Sequence, residues 1–86
     1  MSLHRLLLVE DDADMAAMLA AYLQRHGFHV TRADSRATAL AALRGGRVDL
    51  ILLDVSLGED DGVAICAEIR EAQDVPIIMV SALSAD

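Results

Sequence analysis

The sequence predicts an α/β domain built on a parallel sheet with helices on both faces. Two short apolar runs without a polar interruption, Leu6-Leu7-Leu8-Val9 and Leu50-Ile51-Leu52-Leu53, each end at acidic residues, as strands buried on both faces do. Segments with helical spacing separate the apolar runs, so strands and helices alternate and right-handed crossovers follow. The 86 residues, 55% hydrophobic and 24% charged, suffice for one folded domain, so a disordered tail is excluded.

Each element has its own signature. Met1-Ser2-Leu3 is assigned no structural role, and the first strand runs through Leu6–Val9 into Glu10-Asp11-Asp12. Met15, Met18, Leu19, Tyr22 and Leu23 recur at i, i+3, i+4, i+7 and i+8, the stripe of an amphipathic helix whose methionines are expected in the core. Asp12 or Asp14 caps its start, and Gly27 follows Arg25 and His26 as a stop. Phe28, Val30 and Ala33 alternate with His29, Thr31 and Arg32 as a half-exposed edge strand. Ser35 caps a second helix with Ala39, Leu40 and Leu43 inward, ended by Gly45-Gly46. After Leu50–Leu53 and Asp54, a polar loop from Ser56 to Asp61 leads to a third helix with Val63, Ile65, Cys66 and Ile69 inward. Pro76 then introduces a last strand, Ile77-Ile78-Met79-Val80, ending at Ser81.

Charge narrows the function classes. Seven basic residues, all arginine, stand against fourteen acidic ones, for a net charge of −7. Such a surface does not bind nucleic acid through phosphate neutralisation, and a lysine-bearing phosphate loop is lacking. No apolar run approaches the roughly 20 residues of a membrane span, and no signal peptide opens the chain, so no membrane contact is expected. The single cysteine, Cys66, excludes an internal disulfide and suits a reducing, cytoplasmic setting.

The chemistry gathers at one edge. Parallel strands bring their carboxyl ends together, and ligands of such sheets bind outside those ends. Here the ends carry Glu10, Asp11 and Asp12, then Asp54, then Ser81. Two carboxylates about 4 Å apart repel by about 1 kcal/mol in water and about 4 at an effective dielectric of 20. A divalent cation offsets this directly, and a few hard oxygen donors beside a phosphate position suit Mg²⁺. Taken singly, Asp54 reads as a turn residue and Ser81 likewise; only their convergence points to a site.

Leu7-Leu8-Val9-Glu10-Asp11-Asp12, Leu52-Leu53-Asp54, Asp61-Gly62 and Val80-Ser81-Ala82, in this order and spacing, resemble the receiver domain of bacterial two-component response regulators. The resemblance runs through the whole chain, residues 1–86. It implies a flavodoxin-like, doubly wound sheet with strand order 2-1-3-4, ending before the fifth strand of that fold. It makes Asp54 the phosphoacceptor and a metal ligand. Glu10 and Asp11 become the acidic pair that binds Mg²⁺, and Ser56 supplies a backbone carbonyl to the metal. Ser81 and the Ala82 N–H bind the phosphoryl group. The implied donor is a sensor histidine kinase, and the implied output, by analogy with transcription-regulating members, is a winged-helix module outside this chain. On this reading the chain is a phosphoacceptor signalling domain rather than an enzyme.

The pattern has departures. Gly58 stands where the family often has proline, and the chain contains no lysine, whereas receivers carry a phosphate-binding lysine on the fifth strand. The chain is therefore expected to be part of a longer protein, with the last strand an open edge available for self-association. Gly62 is expected to relieve backbone strain. Two alternatives stand beside the receiver reading. One is a receiver-like interaction module that is never phosphorylated. The other is a Mg²⁺-dependent phosphohydrolase with an aspartyl-phosphate intermediate. Against the latter, the position two residues after Asp54 holds Ser56 rather than a second acid.

Overall fold

Leu6, Leu7, Leu8 and Val9 have apolar side chains pointing to both sides of the backbone, so they can be satisfied only where both faces of a strand are covered. The computed structural model, which describes residues 4–57 and 60–80, places them there. Strand β1 (His4–Val9) lies inside a four-stranded sheet, with all four residues buried. The other elements are α1 (Ala13–Arg25), β2 (Phe28–Ala33), α2 (Arg36–Gly45), β3 (Leu50–Asp54), the two-residue strands β4 (Ser56–Leu57) and β5 (Asp60–Asp61), α3 (Gly62–Ala72) and β6 (Ile77–Val80). The sheet is parallel throughout, in the order β2-β1-β3-β6. Counting only its own strands, that is the expected 2-1-3-4.

The helices divide between the two faces. Leu7, Val9, Ile51 and Leu53 pack with Ala39 and Leu43 of α2 and with Ile65, Cys66 and Ile69 of α3. Leu6 and Leu8 face Ala16 and Ala20 of α1, with Leu19, Leu23, Phe28, Val30, Leu50 and Leu52 around them. Caps fall where the residue types demand. Asp12 accepts hydrogen bonds from the Asp14 and Met15 N–H groups at 3.0 and 3.1 Å, and Ser35 forms a reciprocal capping box with Thr38. After α1 the chain turns at Gly27, the one described residue with positive φ (91°). No helix among the described residues is long and apolar enough to cross a membrane.

The structure corrects several side-chain assignments. The buried face of α1 is Ala16 and Ala20, flanked by Leu19 and Leu23; Met15, Met18 and Tyr22 are exposed, Met18 at 61%. Alanines let the helix axis approach the sheet, where methionines at those positions would hold it off. Ala33 packs with the α2 and α3 face, opposite Phe28 and Val30, because strict alternation groups Phe28 and Val30 with Arg32. In α3 the inward set is Gly62, Ile65, Cys66 and Ile69, and Val63 points outward. Within the polar loop, Ser56 pairs with Asp61 and Leu57 with Asp60 in an antiparallel ladder.

Strand β6 lies at the sheet edge, as expected of the last strand. Its Ile78, Met79 and Val80 are exposed, Ile78 by 51%. Ile78 is in register with the half-buried Leu52 on the α1 side of the sheet, beyond the part that α1 covers.

Candidate functional site

The end of β1 and the end of β3 are neighbours because the two strands pair directly, Val9 opposite Leu53. One residue further, Glu10 and Asp54 leave the ladder side by side. The Glu10 N–H donates to the Ala33 carbonyl at 2.9 Å, so the exit of β1 is held against β2. The Val55 N–H donates to the Val80 carbonyl at 3.0 Å, so the exit of β3 is held against β6. These bonds fix the roots of the two acids. Glu10 retains 9% of its exposure and Asp54 5%, whereas Asp11 is open to solvent.

Glu10, Asp11 and Asp54 each offer a carboxylate oxygen within 4.8 Å of the other two. The sequence-based grouping of these three acids is therefore realised. Asp12 belongs elsewhere, its carboxylate being committed to the α1 N-terminus. Ser56 follows in β4, paired with Asp61. Ser81, Ala82 and Gly58 lie outside the described residues.

The electrostatics fit a cation site. Glu10 Oε2 accepts a hydrogen bond from the Asp12 N–H at 3.2 Å. Its pKa is nevertheless raised above 4.5: burial is the leading cause, the Asp12 N–H opposes it, and a hydrogen bond with the Asp54 carboxyl and the charges of Asp54 and Asp11 add to the rise. A hydrogen bond between two carboxyls needs a proton on one of them, and Glu10 is the group biased to hold it. Three hard oxygen donors, two of them nearly buried, are a donor set for a small divalent cation such as Mg²⁺, whose charge would replace that proton.

The sign of the pH dependence follows. A carboxyl with a raised folded pKa contributes stability while protonated and loses it as pH rises through that pKa. Relative to Glu10→Gln, which mimics the protonated form, the metal-free wild-type chain is expected to lose thermal stability as pH climbs above 4.5. Mg²⁺ affinity, measured by calorimetry, is expected to increase over the same interval. A stability difference that stays constant with pH would refute the shared-proton account.

Beside the acids, a cleft of about 310 Å³ is lined by Glu10, Asp11, Ala13, Arg32, Ala33, Asp34 and Thr38. Arg32, which the sequence pattern marked only as an outward residue of β2, reaches the Ala13 carbonyl at 3.4 Å. Sequence reasoning also missed the role of Gly62 at the far side of the acids. Its N–H donates to the Val55 carbonyl at 3.1 Å, and Asp61 caps α3 by accepting from the Val63 N–H at 3.0 Å. The available signal was a glycine directly after a helix-capping aspartate.

Comparisons with known proteins agree with this geometry. Residues 6–86 match the family model described as the response regulator receiver domain. The chain is 39% identical over 80 residues to a probable transcriptional regulator, ycf27, of Cyanidium caldarium, covering 93% of this chain and 32% of that protein. It is 33% identical over 84 residues to the transcriptional regulatory protein RstA of Escherichia coli, covering 98% of this chain and 35% of RstA. The chain thus spans about a third of the length of the curated relatives it matches. Among solved structures, the response regulator TrrA from Thermotoga maritima in complex with Mg²⁺-BeF superposes with a TM-score of 0.88 at 30% identity. That match covers 95% of this chain and 72% of TrrA.

Proposed function

This chain belongs to the response regulator receiver domain family, and on that premise we propose that Asp54 accepts a phosphoryl group from the phosphohistidine of a sensor kinase. The observation that carries the reading is the meeting of three carboxylate oxygens, from Glu10, Asp11 and Asp54, within 4.8 Å at the carboxyl end of the sheet.

In the transfer, an Asp54 carboxylate oxygen forms the new P–O bond while the P–N bond to the donor imidazole breaks, and the leaving nitrogen takes up a proton. The result is an acyl phosphate. Such transfers are largely dissociative, so positioning and charge compensation matter more than covalent help. Glu10, Asp11 and Asp54, with the Ser56 carbonyl, are the proposed Mg²⁺ ligands; the bound cation would neutralise charge on the transferred oxygens. Ser81 with the Ala82 N–H is the proposed receiver of the phosphoryl oxygens. The direction of β3 and the Val55 bond to Val80 aim Asp54 at that edge.

The relatives' descriptions as transcriptional regulators support an output on transcription, carried by a segment other than this one. A cytoplasmic setting is part of this reading, as the relatives' descriptions as transcriptional regulators call for. The test is incubation with acetyl phosphate and Mg²⁺. One phosphoryl group is expected by mass spectrometry, lost with hydroxylamine as an acyl phosphate is. No uptake in the presence of Mg²⁺ would favour the interaction-module alternative, and sustained turnover of a generic phosphomonoester would favour the hydrolase.

The edge strand β6 supports a second property, self-association of the isolated chain. It exposes an apolar row and, among the described residues, one unpaired strand side. Sedimentation velocity is expected to show concentration-dependent dimers that Ile78→Glu weakens. A strictly monomeric wild-type chain at high concentration would count against it.

A further inference from the structure

The geometry points to Gly62 as a positioning residue for the phosphoacceptor site, an inference that rests on the receiver reading of Asp54. A Cβ placed on Gly62 would sit 2.5 Å from the Asp54 carbonyl oxygen, 2.6 Å from the Val55 carbonyl oxygen and 2.8 Å from the Val55 carbonyl carbon. These are backbone atoms and cannot swing aside as a side-chain tip can. The other described glycines, Gly27, Gly45 and Gly46, have open space around them. Nor is the reason conformational, as the sequence suggested, since Gly27 alone among the described residues has positive φ. Gly62 is needed because a side chain is absent there.

The missing Cβ lets the first turn of α3 seat directly on the peptide that carries the nucleophile. The Gly62 N–H then bonds the Val55 carbonyl, while the Val55 N–H bonds Val80 on the opposite side. Val55 is thus gripped between α3 and the end of β6, and the Asp54–Val55 peptide is held with it. The rest of α3 is anchored by the buried Ile65, Cys66 and Ile69. Ordinary contact for a Cβ begins near 3.4 Å, so a methyl at position 62 forces a separation approaching 1 Å between the helix start and this peptide. With α3 anchored by its three buried residues, relief of the contact falls in part on the strand end, and the Asp54 carboxylate leaves its present spacing from Glu10 and Asp11.

Two measurements test this, both read with Mg²⁺ and beryllofluoride as the probe. Gly62→Ala is expected to bind it about 10–100-fold more weakly, in line with the sensitivity of reacting groups to displacements near 1 Å. Ile69→Val, which loosens the same helix away from the site, is expected to stay within about twofold of wild type. Coupling is reciprocal, so in the wild-type chain the occupied site must in turn tighten the Gly62 contact. Hydrogen exchange of the Gly62 amide is therefore expected to slow about tenfold more than that of Gln73, which bonds Ile69 at the far end of α3.

Wild-type affinity in a folded Gly62→Ala chain overturns the proposal. If that variant fails to fold, the exchange measurement decides, and equal slowing at Gly62 and Gln73 overturns the proposal as mere global stabilisation. A wild-type chain that binds no probe overturns the receiver reading and this inference together, whereas binding by wild type with an indifferent Gly62→Ala overturns the inference alone.

Discussion

Asp54→Asn is expected to abolish phosphoryl uptake from acetyl phosphate and the binding of Mg²⁺-beryllofluoride, and to leave the chain folded. The amide has nearly the shape of the carboxylate, so the tight setting of residue 54, 5% exposed, is kept. It lacks the anionic oxygen that would form the proposed acyl phosphate, and it removes one of the three carboxylates that a cation would meet. Stability without metal should hold or rise. Two carboxylates about 4 Å apart repel by about 1 kcal/mol in water and by more as water is excluded, and at pH values that ionise both groups the variant removes that repulsion between residue 54 and Glu10. Two of the causes that raise the Glu10 pKa, its hydrogen bond with Asp54 and the Asp54 charge, disappear with it. Burial persists, so Glu10 should move down without returning to its ordinary value. Mass spectrometry, thermal melts in chelator and an NMR titration of Glu10 check the three parts. Undiminished phosphoryl uptake by Asp54→Asn would place the acceptor on another residue.

The largest stability effect is expected from Leu7→Ala. Leu7 is fully buried at the centre of β1, between β2 and β3, facing the side chains of α2 and α3. Truncating such a leucine costs about 2–5 kcal/mol, the spread reflecting how far the surroundings collapse into the cavity. A chain of this length has about 4–13 kcal/mol to lose, at about 0.05–0.15 kcal/mol per residue, so the substitution removes a large share of the total stability and lowers the unfolding midpoint accordingly. Met18→Ala is the contrast. A sequence reading that places Met18 in the core predicts a comparable loss, whereas its exposure in the structure predicts a change within about 0.5 kcal/mol. Urea unfolding of the two variants separates the readings, and equal losses would mean that α1 packs through its methionines.

Much of the architecture was legible before any coordinates. The runs Leu6–Val9 and Leu50–Leu53 identified central strands because a strand with two apolar faces has only one stable setting, between two layers. Asp12 or Asp14, Ser35 and Gly27 identified helix ends because unsatisfied backbone groups there call for those residue types, and the structure chose Asp12 of the first two. The grouping of Glu10 and Asp11 with Asp54 followed from topology, since parallel strands present their carboxyl ends at one edge. The helix faces were less legible. In α1 both the Met15-Met18-Tyr22 row and the Ala16-Ala20 row repeat at helical spacing, and residue size favours the wrong one. In α3, Val63 looks more apolar than Gly62, yet Gly62 is the residue turned inward.

Local composition and periodicity thus determined where the strands and helices lie, which ends they share and which acids can meet, because those depend on interactions along a few residues or on the sense of the strands. Which helical row is buried, and why position 62 must lack a side chain, were decided only by the closeness of one backbone to another. That distance is set jointly by elements remote in sequence, and no window of the chain contains it.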